Sequence, residues 1–370
     1  MMRLAIRNLF QNRMRLLISV GGVALALMLI LSLDAIVSWI EQRVAAYIES
    51  SGAEVWVSQE GVRNMHMASS SLPADRVDDV AAVPGVESVT PILYVTNVVA
   101  IGEERAIAYI IGLPEGAQAG GPWNLVAGDS DPGPGGAVID QGIAETSGIG
   151  LGDRVEILGR AFKVAGLSGG TSSFTNSIAF IRNQDFSDLR ANPGVVSFFL
   201  VRVEPGASPA EVALRIEAQV EGVTAQTREA FAAQERRVVR DMSTDLLTIM
   251  NSVGFLIGLA VMGLTVYTST LLRRGEHGVL KALGAQNRDL YLSVGLQALV
   301  SVGLGLLVGL TFTLLLGAIV PQLVSNLGLR VSLPSVGKVA IASVVFAVAA
   351  ALLPIRQIHR LDPAMVFRGK

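Results

Sequence analysis

The chain has 370 residues, of which 51% are hydrophobic and 16% charged, with a formal net charge of −2 and a mean hydropathy of +0.52. That balance is too apolar for an ordinary soluble protein of this length. Cysteine is absent, which excludes disulfides and thiol chemistry.

The first 15 residues hold Arg3, Arg7, Arg13 and Arg15 and no acid. Residues 16–38 follow as an apolar run broken only by Asp34. The run spans about 20 residues, longer than a signal-peptide core, and no small-x-small cleavage site follows it. It reads as a retained first helix. Residues 246–272, 290–320 and 339–355 carry no charge. A bilayer core takes roughly 20 helical residues, so four spanning helices are predicted. They are placed at 16–38, 246–272, 290–320 and 336–355. The last could begin at Pro334 or Ser335 with Lys338 snorkelling to the interface.

Charge fixes the predicted orientation. Residues 1–15, 273–290 and 356–370 together hold 12 basic and 3 acidic side chains, a net of +9. The positive-inside rule puts all three segments, and so both termini, in the cytoplasm. Residues 41–245 then lie outside. They hold 15 Lys+Arg against 27 Asp+Glu, a net of −12, which argues against a nucleic-acid partner. The acids of this segment read as a solvated face.

The outer segment begins and ends with amphipathic helices. Trp39, Ile40, Val44, Tyr47 and Ile48 form one apolar stripe; Phe231, Val238, Val239 and Met242 form another. Thr227 suits the N-cap of the second helix. The two helices suggest a stalk that joins the outer domain rigidly to the bilayer. Between them, strands are predicted at 54–58, 106–112, 196–203 and 223–226, a turn and strand at 84–101, and helices at 73–82 and 208–220. That order describes a split α/β lobe over about 50–112 and 195–227. Residues 113–190 interrupt it. Their Gly/Pro-rich start and the turns at Gly152-Asp153 and Gly159-Arg160 describe a small β-rich inserted lobe. Met65-His66-Met67 carries soft-metal ligand types, but the stretch RNMHMASSS also reads as a mobile loop. With no second ligand cluster, no metal site is expected.

Between the second and third spans the chain reads RRGEHGVLKALGAQNRDL. Val279, Leu280 and Leu283 form an apolar stripe on a short predicted helix. Gly284 suits its C′ stop, and Asn287 and Asp289 suit the start of the next helix. The stripe can fill a partner's groove. Arg273, Arg274, Glu276 and Lys281 could set its register by charge pairing, with His277 as a contact. A plain loop whose cations only set topology is the competing account. Within the spans, Gly254 and Gly258, and Ser301, Gly305 and Gly309, recur every four residues. That spacing permits close helix packing or a dimer interface. Asp34 is read as an interfacial carboxylate at the outer end of its span rather than a proton relay. Gly337-Lys338 and Gly369-Lys370 lack the rest of a phosphate loop, so ATP hydrolysis would have to come from another chain. No catalytic constellation is found, and no cofactor is expected on this chain.

These residues resemble the FtsX-like (ABC3-type, MacB/LolCE-like) permeases of ABC transporters. RRGEHGVLKALGAQNRDL is similar to the family's cytoplasmic coupling segment. LAIRNLFQNRMRLLIS resembles its opening segment, IRQIHRLDPAMVFRG its closing motif, and IDQGIAETSGIGLGDRVEILGRAFKVAGL its inserted outer lobe. TSSFTNSIAFI and the second stalk resemble the haem and glycolipid exporter permeases in particular. The resemblance implies an integral membrane α-helical fold with four transmembrane helices and a large α+β extracytoplasmic domain of two lobes on a helical stalk. It implies a non-catalytic permease subunit in the cytoplasmic (inner) membrane. Expected partners are a cytoplasmic ABC ATPase, a second copy or a related permease, membrane lipids, and in some systems a periplasmic adaptor. ATP-driven dimerisation of the ATPases would push the coupling helices, and mechanotransmission would move the outer domains. Export or extraction of a hydrophobic or amphiphilic substrate is the expected function. Signalling to an outer partner such as a cell-wall hydrolase, without transport, is the alternative.

Overall fold

The computed structural model describes residues 13–101, 104–171, 177–190, 194–272, 274–323 and 327–359. These divide into two compact units. One holds residues up to Trp39, Met242–Leu323 and the chain from Gly328; the other centres on Ile40–Asp241.

The first unit is built from helices that are long and apolar enough to cross a membrane, four among the described residues. Helix α1 runs Arg13–Ser50, α6 runs Arg228–Leu272, α8 runs Asn287–Leu323 and α9 runs Leu333–His359. A short helix, α7 (Arg274–Ala282), stands between α6 and α8. Leu27, Leu31, Met262, Val294, Val302 and Phe346 centre the core of this unit. Phe255 of α6 stacks on Phe346 of α9, with ring centroids 4.3 Å apart. Helix α9 starts earlier than the predicted span because Ser332 caps it. The Ser332 hydroxyl accepts the Ser335 N–H at 3.2 Å, and its carbonyl accepts the Val336 N–H at 3.1 Å. Pro334 falls in the first turn, where its missing N–H leaves no bond unmade.

The second unit is a mixed α/β domain. Its strands in chain order are β1 (Val55–Gln59), β2 (Leu72–Pro73), β3 (Val86–Ile101), β4 (Glu104–Leu113), β5 (Leu125–Gly128), β6 (Gly136–Asp140), β7 (Arg154–Ile157), β8 (Arg160–Ser168), β9 (Ser177–Arg182), β10 (Val195–Val196), β11 (Phe198–Val203) and β12 (Val223–Thr227). Its short helices are α2 (Arg76–Ala81), α3 (Gln141–Ser147), α4 (Asn183–Arg190) and α5 (Pro209–Gln219). The main sheet runs β12-β1-β11-β3-β4-β9-β6-β8-β5, with β7 pairing β3 and β8.

The strand β1 shows how burial on both faces shapes the sequence. It lies antiparallel between β11 and β12. Val55 and Val57 face the core under α5, with Val212 and Ile216. Trp56 faces the opposite core with Phe198 and Phe231. Period-2 alternation thus separates two cores rather than core from solvent.

The inserted segment 113–190 holds β5 to β9. Its strands join the same sheet, because β9 pairs parallel with β4 from Ala108↔Ser177 to Leu113↔Arg182. The long β3–β4 hairpin carries both halves: β11 pairs its Val86–Ile92 end, and β7 pairs Val99 and Ala100. A third core around Ile110, Ile139, Val155, Phe162 and Ile181 fills this half. The β7–β8 turn is formed by Leu158 (φ 53°) and Gly159 (φ 81°), the two-residue left-handed geometry that matches strand twist.

Candidate functional site

The short helix α7 closes through backbone bonds from Leu283 N–H to the Val279 carbonyl and from Gly284 N–H to the Lys281 carbonyl, each 3.0 Å. Gly284 follows at φ +95°, a left-handed position that favours glycine and stops the helix. After a short break α8 begins, and Asp289 N–H bonds the Gln286 carbonyl at 3.0 Å. Val279 is 45% exposed and Leu283, one turn further on, 80% exposed. The two share a helix face and are left uncovered by their own chain. Glu276 and Lys281 lie on the same helix and both make interactions within the chain. Arg274, His277 and Leu280 lie on α7 as well, while Arg273 lies outside the described residues.

The small residues of the spans are occupied by helices of the same chain. A Cβ added at Gly305 would lie 2.7 Å from Val23 Cγ1, and one at Gly309 would lie 2.9 Å from the Ala24 carbonyl oxygen. Both contacts are with α1. A Cβ at Gly258 would lie 3.0 Å from Ala26 Cβ and 3.2 Å from Phe346 Cζ; one at Gly254 would lie 3.2 Å from Ile30 Cγ1. Ser301 is buried on the α8 face that carries Gly305 and Gly309. Asp34 is half-buried on α1.

In the second unit, the ends of α1 and α6 root in one aromatic cluster. Trp56 stacks on Phe231 of α6 at 5.0 Å and meets Tyr47 of α1 edge-on at 5.8 Å. The Tyr47 hydroxyl donates to the Gly120 carbonyl at 3.0 Å. Burial pushes the Tyr47 phenol well above its ordinary range, and Tyr94 likewise. Thr227 caps α6 by accepting the Ala230 N–H at 3.2 Å. Two ion pairs tie the helices further along: Arg236 with Glu49, and Arg240 with Glu41 at 2.8 Å. The apolar stripe predicted on α6 stops short of Met242, which is exposed.

Two expectations about this unit are corrected. First, its acids are not all a solvated face. Glu235, Asp140 and Asp185 are buried. Asp140 caps α3 through Gly142 N–H and accepts from both the backbone and hydroxyl of Thr171. Second, Met65-His66-Met67 is anchored rather than loose. Glu235 of α6 accepts the Met65 N–H at 2.7 Å and pairs with His66 Nδ1. The His66 ring packs edge-on against Tyr109 at 4.7 Å. In the sequence Glu235 is inconspicuous, because an acid inside ERRVVRD looks like one more surface charge. The signal was its spacing: Phe231, Glu235 and Val239 lie at i, i+4 and i+8, on one face. Among the described residues, no group of three or more His, Cys, Asp or Glu converges as metal ligands would.

Residues 16–219 match the MacB-like periplasmic core domain, and residues 248–363 match the FtsX-like permease C-terminal domain. The chain belongs to the FtsX/MacB family of ABC transporter permeases. It is 23% identical over 376 residues to an "uncharacterized ABC transporter permease" of Mycobacterium tuberculosis strain H37Rv, with 99% of each chain covered. A similarly named permease of Mycobacterium bovis is 23% identical over 368 residues, again with 99% of each covered. The solved periplasmic region of MacB from Actinobacillus actinomycetemcomitans aligns at 14% identity and a TM-score of 0.39, covering 50% of this chain and 94% of that one.

Proposed function

We propose that this chain is the membrane subunit that receives force from a separate cytoplasmic ATPase and passes it to an extracytoplasmic domain. The observation that carries the reading is α7. It is a short helix between two membrane-length helices, and it presents Val279 and Leu283 uncovered. An apolar pair left exposed on a polar helix offers a partner something to cover. Val279, Leu280 and Leu283 would fill a groove on the ATPase. Arg273, Arg274, Glu276, His277 and Lys281 would set the register, and Gly284 would end the helix. The absence of a phosphate loop from the sequence supports a motor on another chain. The positive-inside rule supports an orientation with both termini and α7 in the cytoplasm and the 40–241 domain outside the inner membrane.

Two copies, or this chain and a related permease, would assemble with two ATPase subunits. The roots of α1 and α6 in the Trp56 cluster support the next step: a shift of either helix would reach the outer sheet through buried rings. The work done there is export or extraction of a hydrophobic or amphiphilic substrate. The test is reconstitution of the permease and its ATPase in proteoliposomes carrying a fluorescent lipid. ATP-dependent extraction of the lipid to an acceptor is the expected result. ATP hydrolysis that stimulates an outer cell-wall hydrolase with no lipid movement would replace export by signalling.

A further inference from the structure

The 40–241 domain contains a cavity of about 420 Å³ that neither the coupling helix nor the membrane core uses. This volume lies within the ordinary range for small-molecule sites, roughly 300–1,000 Å³. Its walls come from three places: the 65–71 segment, the middle of β3, and α4 with Val195 and Ser197. The wall chemistry is uneven. Leu93, Val95, Phe186 and Val195 form an apolar side. Ser69, Ser71 and Ser187 form a hydroxyl side, and Arg190 contributes the one permanently charged group of the lining. Ser69, Ser71 and Arg190 are exposed, which places them at the mouth; Leu93 and Val95 are half-buried, and Phe186 is fully buried in the core behind them.

We propose that this cavity binds an amphiphile with an oxyanion head, the head held by Arg190 and the serine hydroxyls and the apolar part laid against Leu93 and Val95. Guanidinium and hydroxyl groups are donors matched to carboxylate or phosphate oxygens. The domain as a whole is acidic, with 15 basic against 27 acidic side chains over residues 41–245. That field is screened beyond about 8 Å at physiological ionic strength, whereas contact with Arg190 is not. Asp188, an acid on the same helix, accepts from Gln184 and is outside the lining.

The floor of the cavity gives the site a consequence. Met65 and His66 line it, and these same residues hold the buried Glu235 of α6. A ligand that orders or displaces the 65–71 segment acts directly on that carboxylate, and so on α6. The inference goes beyond the transport reading, because a ligand-sensing outer domain would serve a signal transmitter equally well.

The test uses the full chain in phosphatidylcholine nanodiscs, without ATPase, titrated calorimetrically with dihexanoyl phosphatidic acid below its critical micelle concentration. Saturable one-to-one binding is expected. Arg190→Gln should weaken it at least tenfold, and Ser69→Trp, which fills the mouth from an exposed position, should abolish it. Inorganic phosphate should bind at least tenfold more weakly, and dihexanoyl phosphatidylcholine should not saturate. Hydrogen exchange over residues 228–241 should slow when the acid binds, and Glu235→Gln should reduce that slowing while binding persists. Absence of saturable binding, or equal binding by wild type and both mouth variants, would overturn the site. Phosphate binding as tightly as the acylated probe would overturn the amphiphile assignment. Unchanged exchange on binding would overturn the link to α6. None of these readings depends on transport.

Discussion

Arg240 of α6 donates from Nε at 3.0 Å and Nη2 at 2.8 Å to the carboxylate of Glu41 on α1, across 199 positions of sequence. The hydrogen bonds it donates to Glu41 hold the Arg240 guanidinium above its ordinary range. Four residues earlier on α6, Arg236 pairs with Glu49. The order of the two pairs means that α1 and α6 run antiparallel within this unit. A forked guanidinium–carboxylate pair fixes direction as well as distance.

A double-mutant cycle on Glu41→Gln and Arg240→Gln should therefore return a coupling energy of about 0.5–1 kcal/mol, larger at low salt. Arg240 is well exposed, so solvent screening keeps the value small. Thermal unfolding of the four proteins measures it. A coupling of zero at low salt would mean that the pair does not hold the helices together.

The glycines of α8 divide into two kinds. Gly305 and Gly309 leave no room for a Cβ against α1, whereas Gly303 and Gly295 have nothing within 4 Å. Gly305→Val should force α1 and α8 apart at about 1–3 kcal/mol. Gly303→Ala should be neutral or stabilise slightly, since alanine is the better helix former by roughly 1 kcal/mol. Melting temperatures in detergent, measured side by side, check the contrast. Equal loss in both variants would remove the packing role of Gly305.

Burial raises the folded-state pKa of the Tyr47 and Tyr94 phenols above the unfolded value near 10. Their contribution to stability is then fully present below pH about 10 and lost as pH rises through the raised folded values. Alkaline titration followed at 295 nm should show part of the phenolate signal appearing only together with loss of near-ultraviolet circular dichroism. Tyr47→Phe should shrink that coupled step. A phenolate signal complete near pH 10 with the dichroism intact would contradict the burial of Tyr47.

Much of this architecture is legible in the residues. The charge-free runs mark the membrane helices because a span needs little besides length and apolarity. Thr227 and Gly284 announce helix ends because capping is local chemistry. What the residues concealed was long-range. Nothing near β4 in sequence reveals that β9 will pair parallel to it, so the 113–190 segment reads as a separate lobe. Glu235 sits among arginines and reads as surface; its burial depends on Met65 and His66, which the fold brings from 170 residues away. The close approach of Gly305 to Val23 of α1 is likewise a property of the assembled helices. Spacing shows that it can happen, not which helix fills the gap.

The central claim is that α7 is the surface through which an ATPase drives this permease. Leu283 is 80% exposed, so changing it should cost the chain little packing of its own. The direct measurement is copurification of the partner ATPase with full-length wild type and Leu283→Asp, paired with ATP hydrolysis by the isolated complexes. Leu283→Asp should insert in the membrane and melt like wild type, but lose the ATPase and the hydrolysis that depends on it. Copurification and hydrolysis at wild-type levels would contradict that claim.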